Sequence, residues 1–331
     1  PILIIPQLLF SGIIVSFDKL NPMFKSESHV PWIGNVMASR WAYEALAVYQ
    51  FKNNEFEKDY YLYDKEMKFS NWKKDQWAQA MENKVNYVHK YYLDSADSPN
   101  IQEGIDLIIR EFQKEQRRLA KDSRIEVKPE FNFLSTLKDA KTFNEEIYLD
   151  LRGSIVTIEE IYKWLFNYYE NLSDDIAVAA KTPSTEFLDD LDRKLTAGTI
   201  TKKEFRSLKK AERNRLGTIN SDLQKIYTNE ALEKFVTNDN SFEYIVEAEG
   251  QLIQKSDPIY LDPYDNYFMR SHFYSPRKMF FGSYLSTFVF NTMMIWLMSV
   301  ILIIALYFDL LRRIIEGSGK LFSKIIPSSK N

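Results

Sequence analysis

The chain contains no cysteine, which excludes disulfide staples and Cys-ligated metal sites and leaves the redox compartment open. Only three histidines occur, His29, His89 and His272, too few and too scattered for a His-rich metal site or a ready nucleophilic triad. Neither sign of charge dominates: the net charge is −3, so no general attraction to nucleic acid is expected. Gly-x-x-x-x-Gly-Lys-Ser/Thr, Gly-x-Gly-x-x-Gly, Gly-x-Ser-x-Gly and His-Glu-x-x-His are all missing. Asp189, Asp190 and Asp192 lack the glycine and the terminal glutamate that a calcium loop needs at fixed spacing. Adjacent carboxylates such as Asp174/Asp175 and Glu145/Glu146 say nothing about pairing in a cleft. No catalytic, cofactor or metal site is therefore expected in this segment.

What the chain does have is a long uncharged run. Leu285 to Phe308 is 24 residues without a charge, a glycine or a proline. As a helix it would span about 36 Å, enough to cross a hydrocarbon core of about 30 Å with some tilt. Its place near the C-terminus fits neither a signal peptide nor a targeting segment. Ahead of it lies an aromatic-rich stretch that includes Tyr260, Tyr264, Tyr267, Phe268, Phe280, Phe281 and Tyr284. Such amphipathic rings favour the membrane interface. Arg312, Arg313, Lys320 and Lys324 follow it against Asp309 and Glu316. The basic exit predicts a cytoplasmic C-terminus, although Arg270, Arg277 and Lys278 at the other end weigh the opposite way.

The N-terminus is also apolar. Residues 1 to 17 carry no charge but are interrupted by Pro6 and Gly12. This stretch predicts the end of a truncated membrane helix followed by a broken or re-entrant turn, or else a buried segment of a soluble core. Starting at Pro1 rather than Met, the chain is expected to be part of a longer protein.

Between the two lies a polar segment with helical periodicity. Asn71 is placed to cap a helix carrying Trp72, Trp77, Met81, Val88 and Tyr92. Asn100 to Glu103 resembles a capping box ahead of Ile105, Ile108, Ile109 and Phe112. Thr157 to Glu160 is a Thr-x-x-Glu box ahead of Ile161, Leu165, Tyr168 and Tyr169. Leu195 to Phe205 predicts a helical hairpin: a glycine turn at Gly198, an Ile200 staple, a Thr201 cap and Glu204 at the third helical position. Lys202 to Arg215 holds seven basic and two acidic residues. This is a solvated face, or one that meets anionic headgroups or an acidic partner. Asp257-Pro258, Asp262-Pro263 and Ser275-Pro276 predict an extended, proline-punctuated connector back to the membrane.

Phe10-Ser11-Gly12-Ile13-Ile14-Val15, Pro31-Trp32, and Ser39-Arg40-Trp41-Ala42-Tyr43-Glu44-Ala45-Leu46 together resemble the permease part of subfamily G (White-type) ABC transporters, a type-2 exporter plan. In that family a Phe-Ser-Gly-aliphatic-aliphatic stretch ends the fifth membrane helix. A short re-entrant region, an Arg-aromatic helix start, an external loop and a terminal sixth membrane helix follow. The resemblance covers residues 1 to 56 and 280 to 316. The insert of about 220 residues departs from the family and suggests a bacterial variant.

The resemblance implies an all-α fold in which membrane helices flank a large, mostly helical extracytoplasmic domain. The expected parts are a truncated membrane helix and re-entrant turn over 1–17, a re-entrant or external helix region over 18–60, the insert over 61–279, the last membrane helix over 280–311 and a cytoplasmic basic tail over 312–331. Phe10, Ser11, Gly12, Arg40, Tyr43 and Glu44 carry the family-like motif. Ile13 and Ile14 match the apolar gate at the external mouth, where bulky side chains would exclude water. Packing within the membrane is the plainer role for that pair. Asn291 is the polar residue of the last span, placed for an interhelical hydrogen bond.

The implied function is ATP-driven export by alternating access in a multi-pass inner-membrane protein. ATP and Mg would be held by a nucleotide-binding domain outside this segment, in the same or a partner chain. The implied partners are membrane lipid, that domain, a second copy in a homodimer and an unidentified substrate. The alternative is a membrane-anchored helical interaction or scaffold domain without a transport role. The topology is directly testable with an introduced cysteine, because this segment has none of its own. Lys209→Cys is expected to react with an impermeant maleimide added to intact cells, and reaction only after lysis would invert the assignment.

Overall fold

The computed structural model describes residues 4–14, 17–19, 21, 26–93, 99–239, 241–264 and 267–309. The helices in chain order are α1 (Ile4–Leu9), α2 (Trp32–Asn35), α3 (Ala38–Lys52), α4 (Glu57–Trp72), α5 (Ala78–Tyr91), α6 (Pro99–Lys121), α7 (Glu145–Ala179), α8 (Thr185–Thr196), α9 (Lys202–Tyr227), α10 (Glu230–Val236) and α11 (Thr287–Tyr307). The strands are β1 (Ile245–Ala248), β2 (Gln251–Gln254), β3 (Arg277–Phe280) and β4 (Ser283–Ser286). The chain is thus mostly helical, with two antiparallel hairpins, β1–β2 and β3–β4, added to the expected all-helical plan. Both hairpins close through a two-residue turn with positive φ at each central residue: Glu249 and Gly250 in one, Phe281 and Gly282 in the other. That is the conformation whose twist matches paired strands, and only one residue of each pair is the glycine that adopts it freely.

The chain divides into two compact units. The first takes Pro1–Ala47, Asp265–Phe273 and Arg277–Asn331. Within it, Gly12 has φ +78°, and a β-carbon there would overlap the ring of Phe17, so this position combines a left-handed turn with a close ring approach. The β3–β4 hairpin leads straight into α11, whose first turn is capped by Ser286 Oγ accepting from Val289 N at 3.4 Å. The helix therefore begins at Thr287, and residues 280–286, expected in the last membrane helix, belong to the hairpin and its turn. Among the described residues α11 is the one helix long and apolar enough to cross a membrane, and little of it is buried. α1 is six residues long, so a second flanking span is not seen among the described residues. The expected tail from Arg312 lies outside them.

The second unit takes Val48–Tyr264 and Tyr274–Pro276. Its core lies among α4, α5, α6 and α7. In α6, Ile101, Ile105, Ile108 and Phe112 recur at three- and four-residue steps, Leu119 follows two turns on, and all are buried. α7 does the same with Ile147, Leu151, Ile155, Ile158, Tyr162, Leu165 and Tyr169. Each such side chain stabilises the fold by roughly 1.5–3 kcal/mol relative to exposure, which is why this stripe, and not propensity, keeps α7 helical over 35 residues. The start of α7 is Asn144, whose Oδ1 accepts from Ile147 N at 2.9 Å. Thr157 to Glu160, expected as a cap, sits inside this helix, and Thr157 Oγ1 donates to Gly153 O. Asn71 likewise caps nothing, because α4 runs on through a π-helical turn at Lys73–Trp77 into α5. The α8–α9 hairpin follows its expected code: Gly198 has φ +72°, Thr201 Oγ1 accepts from Glu204 N, and Glu204 Oε2 accepts from Thr201 N at 2.8 Å. In the connector, Pro258–Tyr260 forms a 3₁₀ turn, and Ile259 O accepts a hydrogen bond from Tyr61 Oη at 2.7 Å.

One carboxyl of this unit titrates near neutrality. Burial, with Asp64 facing it, pushes Glu57 up from 4.5 to about 7, against a hydrogen bond donated by Tyr260 Oη at 3.1 Å. Between those values the folded state holds a proton that the unfolded chain releases, so stability falls as pH rises through the window. The span corresponds to a loss on the order of 3 kcal/mol. Chemical unfolding followed by tryptophan fluorescence is expected to show this decline, and Glu57→Gln is expected to flatten it. An unchanged slope in the variant would assign the decline to other groups.

Candidate functional site

α3 is where the first unit gathers its polar side chains. Its first turn is tied to α1: Ser39 Oγ donates to Gln7 O at 2.8 Å, and Gln7 Oε1 accepts from Ser39 N at 3.3 Å. A side chain from another helix thus takes up one of the amide donors that every helix start leaves open. One residue on, Arg40 and Glu44 stand four apart on the same face, and both are fully buried. Lys278 comes from β3, with its Nζ donating to Glu44 Oε1 and to Ser271 Oγ, each at 2.9 Å. Asn291 comes from the first turns of α11 and donates from Nδ2 to Glu44 Oε2 at 2.8 Å and to Trp41 O at 3.1 Å. Trp41 is packed against Phe290 and donates from Nε1 to Asn35 O at 2.8 Å.

The cluster therefore holds two cations and one carboxylate with side chains at 0–1% exposure. Burial pushes the Glu44 carboxyl up. The charges of Arg40 and Lys278 with the bonds from Lys278 and Asn291 outweigh it and hold the group below its ordinary value. Burial lowers Lys278 to about 8 against the pull of Glu44. Burial also lowers Arg40, whose guanidinium approaches Glu44 at 3.5 Å, stacks 3.8 Å from the Trp41 ring centre and makes no hydrogen bond among the described residues. Contact with an aromatic face offsets part of the cost of a dry guanidinium. The arrangement is a clamp: one carboxylate on α3 fastens β3 and the start of α11, each more than 200 residues further along the chain.

Of the residues singled out in the sequence, Arg40, Glu44 and Asn291 meet in this cluster. Tyr43 points elsewhere and stacks on Phe273 with ring centres 6.5 Å apart. Ser11 is buried, donating to Leu8 O at 2.8 Å and accepting from Ile13 N at 3.3 Å, so it holds the Gly12 turn. Phe10 and Ile13 are half-buried and Ile14 is 64% exposed; none of the three belongs to the cluster. Val15 lies outside the described residues. Lys278 and Ser271 were not foreseen as site residues. The available signal was a lysine set among Met279, Phe280 and Phe281 just ahead of the uncharged run.

A second buried ionic group lies in the helical unit, at the π-helical turn. Lys73 Nζ pairs with Glu115 at 2.5 Å beneath the rings of Trp72 and Trp77, and Tyr162 Oη donates to Glu115 at 2.6 Å. Glu111 accepts from Trp77 Nε1 at 2.8 Å, from Lys114 and from Leu252 N, which docks β2. A cleft of about 350 Å³ opens over this group. Across its lining Lys65 pairs with Asp262, Lys114 with Glu111 and Arg118 with Glu66. The charges match, so the cleft has no net field to draw an ion of one sign.

Among the described residues no group of three or more His, Asp and Glu side chains is placed to hold a metal. No family model, no curated protein and no solved structure matches the chain.

Removing the carboxylate of the first cluster leaves two buried cations unopposed, a change that typically costs about 3–5 kcal/mol. Glu44→Ala is expected to lower the unfolding free energy of the purified protein by that order. Lys278→Met added to Glu44→Ala is expected to restore at least half of it. A single-variant loss under about 1 kcal/mol would mean the clamp contributes little.

Proposed function

We propose that the chain is the membrane-embedded permease portion of an ATP-driven exporter of the ABC subfamily G or type-2 kind. The observation that carries this is the grouping of the N-terminal apolar stretch with α11 in one unit, apart from the helical unit. In that unit Glu44, a residue of the family-like motif, grips the start of the apolar helix through Asn291. A soluble role leaves α11 without cover. Trp296, Leu297, Ile301, Leu302, Ile303, Leu306 and Tyr307 are each about half exposed or more. At roughly 1.5–3 kcal/mol for each large apolar side chain fully buried, the stabilisation forgone by leaving these seven in water is comparable to a typical domain's whole stability. Lipid, or helices of the same assembly, covers them at no such cost.

On this reading α11 is the last span of a multi-pass inner-membrane protein, with α1 and the Gly12 turn at the external end of the preceding one. The helical unit faces outside and the basic tail inside. Two copies pair, and Ile13 and Ile14 form an apolar constriction at the external mouth that opens as the copies separate. The exposure of Ile14 leaves it available for that contact. The nucleotide-binding domain of the same or a partner chain would hold ATP and Mg; no residue here is assigned to them. The clamp gives the mechanism a rigid joint, since β3 cannot leave α3 without separating the buried Lys278–Glu44 charges, nor α11 without breaking the buried hydrogen bond from Asn291 to Glu44. A scaffold reading is favoured by one observation, that α11 is the one candidate span among the described residues.

The test is a cross-link in the full-length protein in native membranes. Ile14→Cys is expected to give an oxidation-dependent dimer whose yield falls when ATP and vanadate are added. A monomer under all conditions, together with no vanadate-sensitive ATP hydrolysis in the purified assembly, would sink the exporter reading in favour of the scaffold.

A further inference from the structure

The exporter reading leaves one strongly charged surface unused. At 100° per residue, Lys202, Lys203, Arg206, Lys209, Lys210 and Arg213 fall within an arc of about 120° on α9. Over those three turns no other residue shares the arc. All six are exposed, and none forms an ion pair among the described residues. The carboxylates nearest in sequence are engaged elsewhere: Glu204 in the reciprocal cap with Thr201, and Glu212 in a two-pronged pair with Arg215 at 2.6 and 2.8 Å. In α8, Asp190 pairs with Lys194 at 2.7 Å. Glu204, Glu212 and Asp190 are thus engaged away from the arc, and none of its six charges is paired among the described residues, in a chain whose overall charge is −3. The hairpin fixes the stripe as a surface, because α9 is capped at Thr201 and packs on α8.

We propose that this face of α9 binds the anionic phosphate headgroups of the membrane into which α11 inserts. Four to eight clustered Lys and Arg residues are what peripheral contact with anionic lipid uses, and each adds to the attraction independently of sequence-specific fit. A polyanion of any kind would satisfy the charge. Lipid is favoured because α11 tethers α9 to a bilayer within the same chain, which raises the effective headgroup concentration without any added affinity. The contact is electrostatic and not an insertion, since the arc itself carries no apolar residue. The proposal rests on α11 being membrane-inserted, and it is independent of whether the protein exports anything.

The absence of cysteine allows a single reporter. Ser207→Cys in the full chain, labelled with a fluorophore, is reconstituted in nanodiscs of phosphatidylcholine alone or with phosphatidylglycerol, each containing a headgroup quencher. Incorporation into either disc reports α11 insertion separately from the α9 contact. Quenching is expected to be several-fold stronger with phosphatidylglycerol, to fall to the phosphatidylcholine level in about 0.5 M NaCl, and to be lost in the variant K202E/R206E/K209E/R213E. Circular dichroism of that variant checks that the hairpin persists. Equal quenching in both lipids, or none in discs that have taken up the protein, would overturn the proposal. Failure of the chain to enter discs at all would instead overturn the membrane reading beneath it.

Discussion

A single carboxylate sets the terms for the first unit. Glu44 is buried with Arg40 and Lys278, and neither cation has another buried counter-charge among the contacts described. Buried ions are tolerated only when paired in good geometry with their remaining valences met. Glu44 meets that demand through both oxygens, one taking Lys278 and the other Asn291. The positions of the β3–β4 hairpin and the first turns of α11 follow, because each supplies a donor that has no alternative acceptor of comparable strength. Gly12 and the Ser39–Gln7 contact then bring the N-terminal stretch to the same helix.

The helical unit solves the same problem differently. Its ionic group at the π-helical turn is surrounded by a conventional apolar core, and each charge has an opposite neighbour: Lys73 with Glu115, Lys114 with Glu111. Here the ions orient elements that hydrophobic burial already holds. In the first unit the ions are a larger share of what holds the segments together, because α11 turns most of its apolar surface outward. That contrast is what a domain in water and a segment facing lipid would each require.

Local chemistry was legible and distant meeting was not. Thr201 and Glu204 are three residues apart, and their reciprocal cap needs nothing beyond the local chain. Thr157 and Glu160 have the same spacing, yet the apolar stripe of α7 is already running from Asn144, and burial overrides the stop that a cap implies. The two hairpins escaped notice because Glu249 and Phe281 occupy left-handed positions usually read from Asn or Gly. Arg40, Glu44 and Asn291 each stood out for a separate reason, but the bond from Asn291 to Glu44 crosses 247 positions, a separation no local pattern encodes. Nothing in the sequence around Lys278 announces a buried carboxylate, so its charge speaks there only to topology.

The π-helical turn at Lys73–Trp77 lets α4 and α5 share one path while their inward faces differ in phase. Tyr61 and Trp72 look into the core before it, and Ala78, Met81, Val85 and Val88 after it. A π turn takes up about one residue more than an α turn, so the extra residue is absorbed locally and Met81, Val85 and Val88 keep their inward face. Deleting one residue within Lys73–Trp77 would close the stretch as an α turn with that face unchanged, whereas a deletion in the α turns on either side would rotate everything beyond it by about 100°. These five residues therefore tolerate a change of chain length that their helical neighbours would not.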